Sequence, residues 1–123
     1  HHCHCKDCQR TTGCGKATIL YIASKNIKVD GELKFFNSKG SSGMTIRRGF
    51  CENCGSGVLS YAKELPLLKF VKAGTLEDSS WVKVDSVFFT KSANQWDMPA
   101  ADIKCHEANP NMLDNLKSVI KAL

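Results

Sequence analysis

Long apolar runs are missing from this sequence. The longest apolar or β-branched stretch, residues 17–23, falls far short of the ~20 residues that a membrane-spanning helix requires. The first residues, His1-His2-Cys3, contain no apolar segment of the kind found in secretory signal peptides. The sequence therefore predicts a protein that neither spans a membrane nor is secreted, and we expect an intracellular, cytoplasmic location.

Blocks of like charge, internal repeats and low-complexity segments are also missing. The 17 Lys+Arg and 12 Asp+Glu give a net charge of +5 that is spread along the 123 residues. Scattered lysines are typical of a solvated surface, so a nucleic-acid partner is not expected. Because 42% of the residues are hydrophobic and 24% are charged, the composition is that of a globular protein. The length predicts one domain over residues 1–123.

Cysteine, by contrast, is abundant. Seven cysteines can form the disulfide framework of a secreted protein or bind metal in a reducing compartment. Their number is odd, they are clustered in the sequence, and no secretory signal is visible. These features favour metal binding over disulfides.

Five of the cysteines fall in two short motifs. Residues 3–8 read Cys-His-Cys-Lys-Asp-Cys, and residues 51–55 read Cys-Glu-Asn-Cys-Gly. Zinc takes thiolates at ~2.3 Å in a tetrahedron, and a C-x-C-x-x-C loop can turn three sulfurs toward one point. A C-x-x-C turn offers two, and its Gly55 can adopt a positive φ. The sequence therefore predicts zinc ligands in both motifs, namely Cys3, Cys5, Cys8, Cys51 and Cys54.

The spacing of the cysteines leaves two arrangements open. In one, Cys5 and Cys8 join Cys51 and Cys54 in a closed four-thiolate site that only stabilises the fold. In the other, Cys3, Cys5 and Cys8 hold one zinc ion and leave its fourth position open, as in catalytic zinc sites. Cys51 and Cys54 then need two ligands from elsewhere.

The middle of the chain is predicted to be β and its C-terminus helical. Predicted strands cover residues 17–23, 32–36, 44–50, 57–62, 67–73 and 86–91. Short strands separated by glycine turns indicate a sandwich or several small packed sheets. Apolar residues then recur at helical spacing at Met112, Leu113, Leu116, Val119, Ile120 and Leu123. Asn109 is the predicted cap of an amphipathic helix that packs this stripe on the β structure, and Pro110 is its first residue.

Three motifs, taken together, resemble the glutathione-dependent formaldehyde-activating enzyme family, which also includes centromere protein V. They are residues 3–13 (CHCKDCQRTTG), residues 48–56 (RGFCENCGS) and residues 73–78 (AGTLED), followed by Trp96. The motifs occur in the order that they have in the family. The resemblance covers the chain from residue 1 to about residue 104.

The resemblance implies a mainly β fold of several small, coiled antiparallel sheets around zinc–cysteine sites. It implies a catalytic zinc on Cys3, Cys5 and Cys8, and a structural zinc on Cys51 and Cys54 with a C-x-C pair from an N-terminal strand. In the family that strand precedes the position of residue 1 here, so the second site is expected to be incomplete. It could also be filled by other residues, for which the candidates are Cys14, Cys105 and His106.

The same resemblance implies a zinc-dependent carbon–sulfur lyase. Its substrate would be a thiol adduct such as S-hydroxymethylglutathione, with one or two zinc ions as cofactor and glutathione as co-substrate. The alternative function is a non-catalytic, zinc-stabilised module that binds chromatin, the cytoskeleton or glutathione. An open fourth zinc position would favour the enzyme, and a closed one would favour the module.

Cations near the cysteines are candidates for binding the carboxylates of a glutathione-type substrate. Lys6 and Arg10 lie within the first motif, and Arg48 opens the second. We expect these three to bind the co-substrate. Further candidates are Lys16 and Arg47.

The remaining residues of interest are expected to be structural. Adjacent residues of an extended chain face opposite ways, so His4 is expected to point away from the metal. For the same reason Cys105 and His106 are not expected to form a catalytic pair. Cys14 is expected to be a small buried hydrophobe. Positions in the core or in a pocket wall are expected for Trp81, Trp96, Phe88 and Phe89.

Overall fold

The computed structural model describes all 123 residues apart from the side chain of Met112. Its strands are β1 (His2–Cys3), β2 (Ala17–Ala23), β3 (Lys34–Lys39), β4 (Thr45–Phe50), β5 (Gly57–Ala62), β6 (Leu68–Lys72), β7 (Ser86–Phe88) and β8 (Lys104–Cys105). Its helices are α1 (Lys6–Thr12) and α2 (Met112–Ala122). In the described part of the chain, no helix is long and apolar enough to cross a bilayer.

All eight strands belong to one sheet, in the order β3-β4-β5-β6-β2-β1-β7-β8. The pairs from β3 to β1 are antiparallel, whereas β7 runs parallel to both β1 and β8. The predicted mainly β class with a C-terminal helix is confirmed. Several small antiparallel sheets were expected, but the strands form one continuous sheet. They do so because β2 pairs with β6 through residues 19–23 and with β1 through residues 17–18.

The bounds of several strands match those predicted from the sequence, since β2 and β5 cover residues 17–23 and 57–62. The strand predicted at residues 86–91 ends at Phe88 instead. Phe89 adopts a left-handed conformation with φ 60° and turns the chain away from the sheet. Short β1 and β8 were not predicted, because two-residue strands leave no periodic pattern in a sequence.

Helix α1 corrects the expectation of a loop in the first motif. Its cap is Cys5, whose sulfur accepts a hydrogen bond from the backbone N–H of Cys8. The helix ends at Gly13, which has the left-handed conformation typical of a helix C-terminus. Sulfur is a weak acceptor, so the preference for oxygen-bearing caps gave no signal for this helix.

Helix α2 forms where the helical period predicted it, but the predicted cap is wrong by two residues. Asn111, not Asn109, caps the helix, and its side-chain oxygen accepts from the N–H of Asp114 at 2.9 Å. The packing of the apolar stripe is also only partial. Leu113, Leu116 and Ile120 are 61%, 53% and 63% exposed.

The buried core around the first motif lies where β1, β2 and β7 meet α1. It contains Cys3, Cys8, Ala17, Ile19 and Phe88. Two of the predicted metal ligands are therefore core residues, so the packing of the fold also determines where their sulfurs lie.

Candidate metal centre

Three cysteines converge at the start of α1 and form what we call the cysteine cluster. Cys3 ends β1, Cys5 caps α1 and Cys8 lies in the first turn of the helix. Their three Sγ atoms all lie within 4.8 Å of one another. Cys3 and Cys8 are buried and Cys5 is partly buried. This arrangement can hold a metal ion.

The three cysteines are positioned by different elements of the fold. Cys3 pairs with Ala17 of β2 on one side and with Phe88 of β7 on the other. The next residue, His4, donates its N–H to the carbonyl oxygen of Phe88 at 3.0 Å. Cys8 is held in place by helix α1, which Cys5 caps. The three positions are thus set by sheet and helix together, which limits how far the sulfurs can move apart.

The three thiols share one another's protons. Hydrogen bonding with Cys3 and Cys8 lowers the pKa of Cys5 to about 2. Hydrogen bonding with Cys5 and Cys8, together with burial, raises the pKa of Cys3. Hydrogen bonding with Cys3 lowers the pKa of Cys8, but that with Cys5 and burial outweigh it and raise the value to about 11. Three thiols this close together disfavour one another's ionisation, so a bound cation is needed to ionise all three.

Gln9 ties the cluster to the loop that follows β7. Its Nε2 donates to the carbonyl oxygens of His4 at 2.8 Å and Ser92 at 2.9 Å. Asn94 donates its Nδ2 to Gln9 Oε1 at 3.0 Å. Gln9 lies in the first motif, but no role was predicted for it. An amide directly after a predicted ligand was the one signal for such a positioning residue.

A cavity of ≈ 350 Å³ opens beside the cluster. Its apolar wall includes Ile19, Tyr21, Phe70, Phe88 and Phe89. Burial raises the pKa of Tyr21, so its phenol stays protonated at neutral pH and can act as a hydrogen-bond donor. The volume is in the usual range for small-molecule sites.

Two of the three predicted carboxylate-binding cations lie in this cavity wall. Lys6 and Arg48 line it, whereas Arg10 is exposed and is not part of it. The side chain of Arg48 is 15% exposed, and its Nη2 lies 3.8 Å from Asp7 Oδ2. Arg48 also donates to the hydroxyl of Ser38.

Lys72 is a third cation in the wall and was not predicted from the sequence. Burial lowers its pKa, and attraction to Cys8 opposes that shift. Lys72 is distant in sequence from both motifs and reaches the cavity because it pairs with Ile19 across β6 and β2. No local pattern could have revealed it.

Comparison with known families agrees with this site. The sequence model of the family described as glutathione-dependent formaldehyde-activating enzyme matches residues 1–92 of the 123. The chain belongs to this family. The match includes both cysteine motifs and all the cations of the cavity wall, and it points to chemistry related to glutathione and formaldehyde. A comparison with curated proteins gave no match.

The second cysteine motif of this family member, residues 51–55, is a turn between β4 and β5 that we call the knuckle. Gly55 donates its N–H to the carbonyl oxygen of Cys51 at 2.7 Å and has φ +76°, as predicted. Cys54 is exposed, and its sulfur lies 3.2 Å from Ser56 Oγ. The hydrogen bond with Ser56 lowers the pKa of Cys54.

The knuckle does not join the cysteine cluster. Among the described residues, the cluster is the one group of three or more potential metal ligands within reach of one ion. The closed four-thiolate arrangement is therefore not formed by these residues. Cys14, Cys105 and His106 do not complete a site with the knuckle either, and metal binding by Cys51 and Cys54 stays a prediction.

The structural expectations for other residues are met in part. His4 is 1% exposed and lies outside the cluster, as expected from alternation, and burial lowers its pKa. Phe88 is a core residue. The expectation for Cys14 is wrong, because it is exposed. Trp81 and Trp96 are 59% and 71% exposed, so neither tryptophan is a core residue.

Proposed function

We propose that this protein is a zinc-dependent carbon–sulfur lyase that forms or cleaves a thiol adduct of glutathione, such as S-hydroxymethylglutathione. The observation that carries the proposal is the convergence of three sulfurs within 4.8 Å at the wall of a cavity that also holds cations. Membership of the family supports a reaction that involves glutathione and formaldehyde.

Cys3, Cys5 and Cys8 would hold the zinc ion. Three soft thiol donors suit zinc, and the closeness of their Sγ atoms, all within 4.8 Å of one another, supports binding of one cation. With three protein ligands the fourth position is open, and zinc bound there would stabilise the substrate sulfur as a thiolate.

Cleavage of the adduct involves no change of oxidation state. The hydroxyl proton of the S–CH₂–OH group is lost, the C=O bond of formaldehyde forms, and the C–S bond breaks with its electron pair passing to sulfur, which takes up one proton on release so that the products are formaldehyde and the free thiol. Formation of the adduct is the reverse. Tyr21, which lines the cavity and is held protonated by burial, would donate a hydrogen bond to the oxygen that becomes the carbonyl. Lys6 and Arg48 would bind substrate carboxylates, and the aromatic wall would exclude water.

Two further parts of the proposal concern the second motif and the compartment. Cys51 and Cys54 offer two sulfurs on one turn, and we propose that they bind a second zinc ion together with two donors from elsewhere. Zinc content by elemental analysis would then exceed one ion per chain once those donors are supplied. A reducing compartment, which we take to be the cytoplasm, would keep all the thiols available for metal.

The test of the function is Cys3→Ser against the matched control Cys14→Ser, an exposed cysteine outside the cluster. We expect Cys3→Ser to lower zinc content by about one ion per chain and turnover of S-hydroxymethylglutathione by at least roughly 100-fold, since even indirect changes at metal sites cost 10–100-fold. Cys14→Ser should change neither. Unchanged zinc content and turnover in Cys3→Ser would show that the assignment is wrong.

Cobalt substitution separates the enzyme from the alternative binding module. If the fourth position is open, glutathione should change the visible spectrum of the cobalt-loaded protein, and this change should be absent in Cys3→Ser. A cobalt spectrum that is indifferent to glutathione, together with no turnover, would favour a zinc-stabilised module.

A further inference from the structure

Lys72 occupies a position that the proposed reaction does not use. It is the last residue of β6, is partly buried, and lies close enough to Cys8, Cys3 and Cys5 for attraction to their sulfurs. Among the described residues, no carboxylate lies within ion-pair distance of its ammonium group. Burying part of an ammonium group that has no carboxylate partner costs free energy, which a bound anion offsets.

Lys72 lines two cavities. The cavity beside the cysteine cluster has Arg48 and Lys72 in its wall, and the same two residues line a second cavity of ≈ 810 Å³. The second cavity extends past Thr11, Gly55 and Thr75. A substrate with its sulfur at the cluster and its remaining groups in the second cavity would pass both cations.

The two cations differ in how far the protein neutralises them. Arg48 lies 3.8 Å from Asp7 and donates to Ser38, so part of its hydrogen-bonding capacity is used. Among the described residues, Lys72 has no carboxylate partner. This cation, which lines both cavities, is therefore available for a carboxylate of the substrate.

We propose that Lys72 selects thiol substrates that carry a carboxylate, by pairing with that carboxylate while the substrate sulfur lies at the cysteine cluster. The inference rests on the proposed function, because it concerns the substrate of the same site. The competing role for Lys72 is to offset the negative charge of the cluster, whatever thiol is bound, and the experiment distinguishes the two roles.

The experiment compares glutathione with its diethyl ester, which keeps the thiol and lacks free carboxylates. Isothermal titration calorimetry gives the Kd of each for the zinc-loaded wild type, Lys72→Met and Lys72→Arg. A charge-assisted pair is worth roughly tenfold or more in Kd, so the wild type should bind glutathione more tightly than the ester by at least about tenfold, with Lys6 and Arg48 adding to the preference. Lys72→Met should reduce the preference about tenfold without changing the Kd of the ester, and Lys72→Arg should restore most of it.

Lys69→Met is the matched control. Lys69 lies on the same strand, its ammonium group sits 3.6 Å from the centroid of the Tyr61 ring, and it lines neither cavity. Its replacement removes one positive charge from the protein but should leave the preference for glutathione unchanged. Zinc content, measured for every variant, verifies that the cluster is loaded.

Each result decides one question. If Lys72→Met weakens both thiols equally, or leaves the preference unchanged, the inference is overturned. If the preference depends on Lys72 but no adduct is turned over, the lyase function fails and the inference stands. If adducts are turned over without any carboxylate preference, the function stands and the inference fails. A zinc-loaded protein that binds neither thiol would overturn both.

Discussion

The cysteine cluster and the knuckle are built from the same residue type at similar spacing, yet they differ in almost every physical respect. The cluster takes its sulfurs from a strand, a helix cap and a helical turn, and two of its cysteines are part of the core. The knuckle is one turn between two strands, with Cys54 exposed. A metal site in the core gains rigidity from the packing around it, whereas an exposed pair must obtain its remaining donors and its order from elsewhere.

The largest expected effect is the loss of stability when an aromatic side chain is truncated beside the cluster, compared with the same change near the knuckle. Phe88 is 4% exposed and packs in the core with Cys3 and Cys8. We expect Phe88→Ala to lower the free energy of unfolding by about 3–5 kcal/mol, because it leaves a cavity in the core. Phe36 shares a cavity wall with Gly55 of the knuckle and is 62% exposed, so Phe36→Ala should change it by about 0.5 kcal/mol or less.

Urea denaturation of both variants, with and without zinc, measures this contrast. Equal losses would mean that the two regions contribute equally to the packing, and the comparison would fail.

A smaller effect is expected at Gly49, two residues before the knuckle. An added Cβ would lie 2.9 Å from Phe35 Cε1 and 3.0 Å from the carbonyl oxygen of Leu59. Backbone cannot give way as a side chain can, so Gly49→Ala should lower the free energy of unfolding by about 1–3 kcal/mol. At Gly57 an added Cβ meets no atom within 4 Å, and Gly57→Ala is the control with little expected change.

Thermal unfolding followed by circular dichroism compares these glycine variants. A melting temperature of Gly49→Ala equal to that of Gly57→Ala would show that the strands beside the knuckle are loosely packed. In that case the looser packing of the knuckle, compared with the cluster, would extend into the strands of the sheet.

The smallest effect concerns one ion pair in each region. The hydrogen bond from Lys16, at 2.6 Å, lowers the pKa of Asp97 below its ordinary value of 3.8. A carboxyl with a lowered pKa in the folded state stabilises the protein above pH 3.8 and loses that contribution as the pH falls toward the lower value. The difference in stability between wild type and Asp97→Asn should therefore shrink on acidification through this window.

The matched ion pair at the knuckle joins Lys34 and Glu52 at 3.6 Å with both side chains more than half exposed. Exposed pairs of this kind contribute little, so Glu52→Gln should leave stability almost unchanged at every pH. Chemical denaturation at a series of pH values tests both variants. A gap between wild type and Asp97→Asn that widens on acidification would contradict the assigned sign.

Much of the fold was predictable because its signals are local. Residues 17–23 and 57–62 form strands over the predicted bounds, and the helical period beginning at Met112 marks α2. Helix α1 was missed because a sulfur caps it. The pairing of Cys3 with Phe88 was also beyond prediction, since it joins residues far apart in the sequence by only a short parallel contact.

The sequence by itself determined the chemistry available to this protein: two cysteine motifs, the membership of a family that they indicate, and the turn at Gly55. Only the tertiary structure decided which sulfurs meet, because spacing allowed Cys5 and Cys8 to join either Cys3 or the knuckle. It also decided which cations face the cavity, excluding Arg10 and adding Lys72. The physical reason is that cysteine spacing limits only local geometry, whereas the pairing of β2 with β6 and β1 fixes distances between residues remote in the chain.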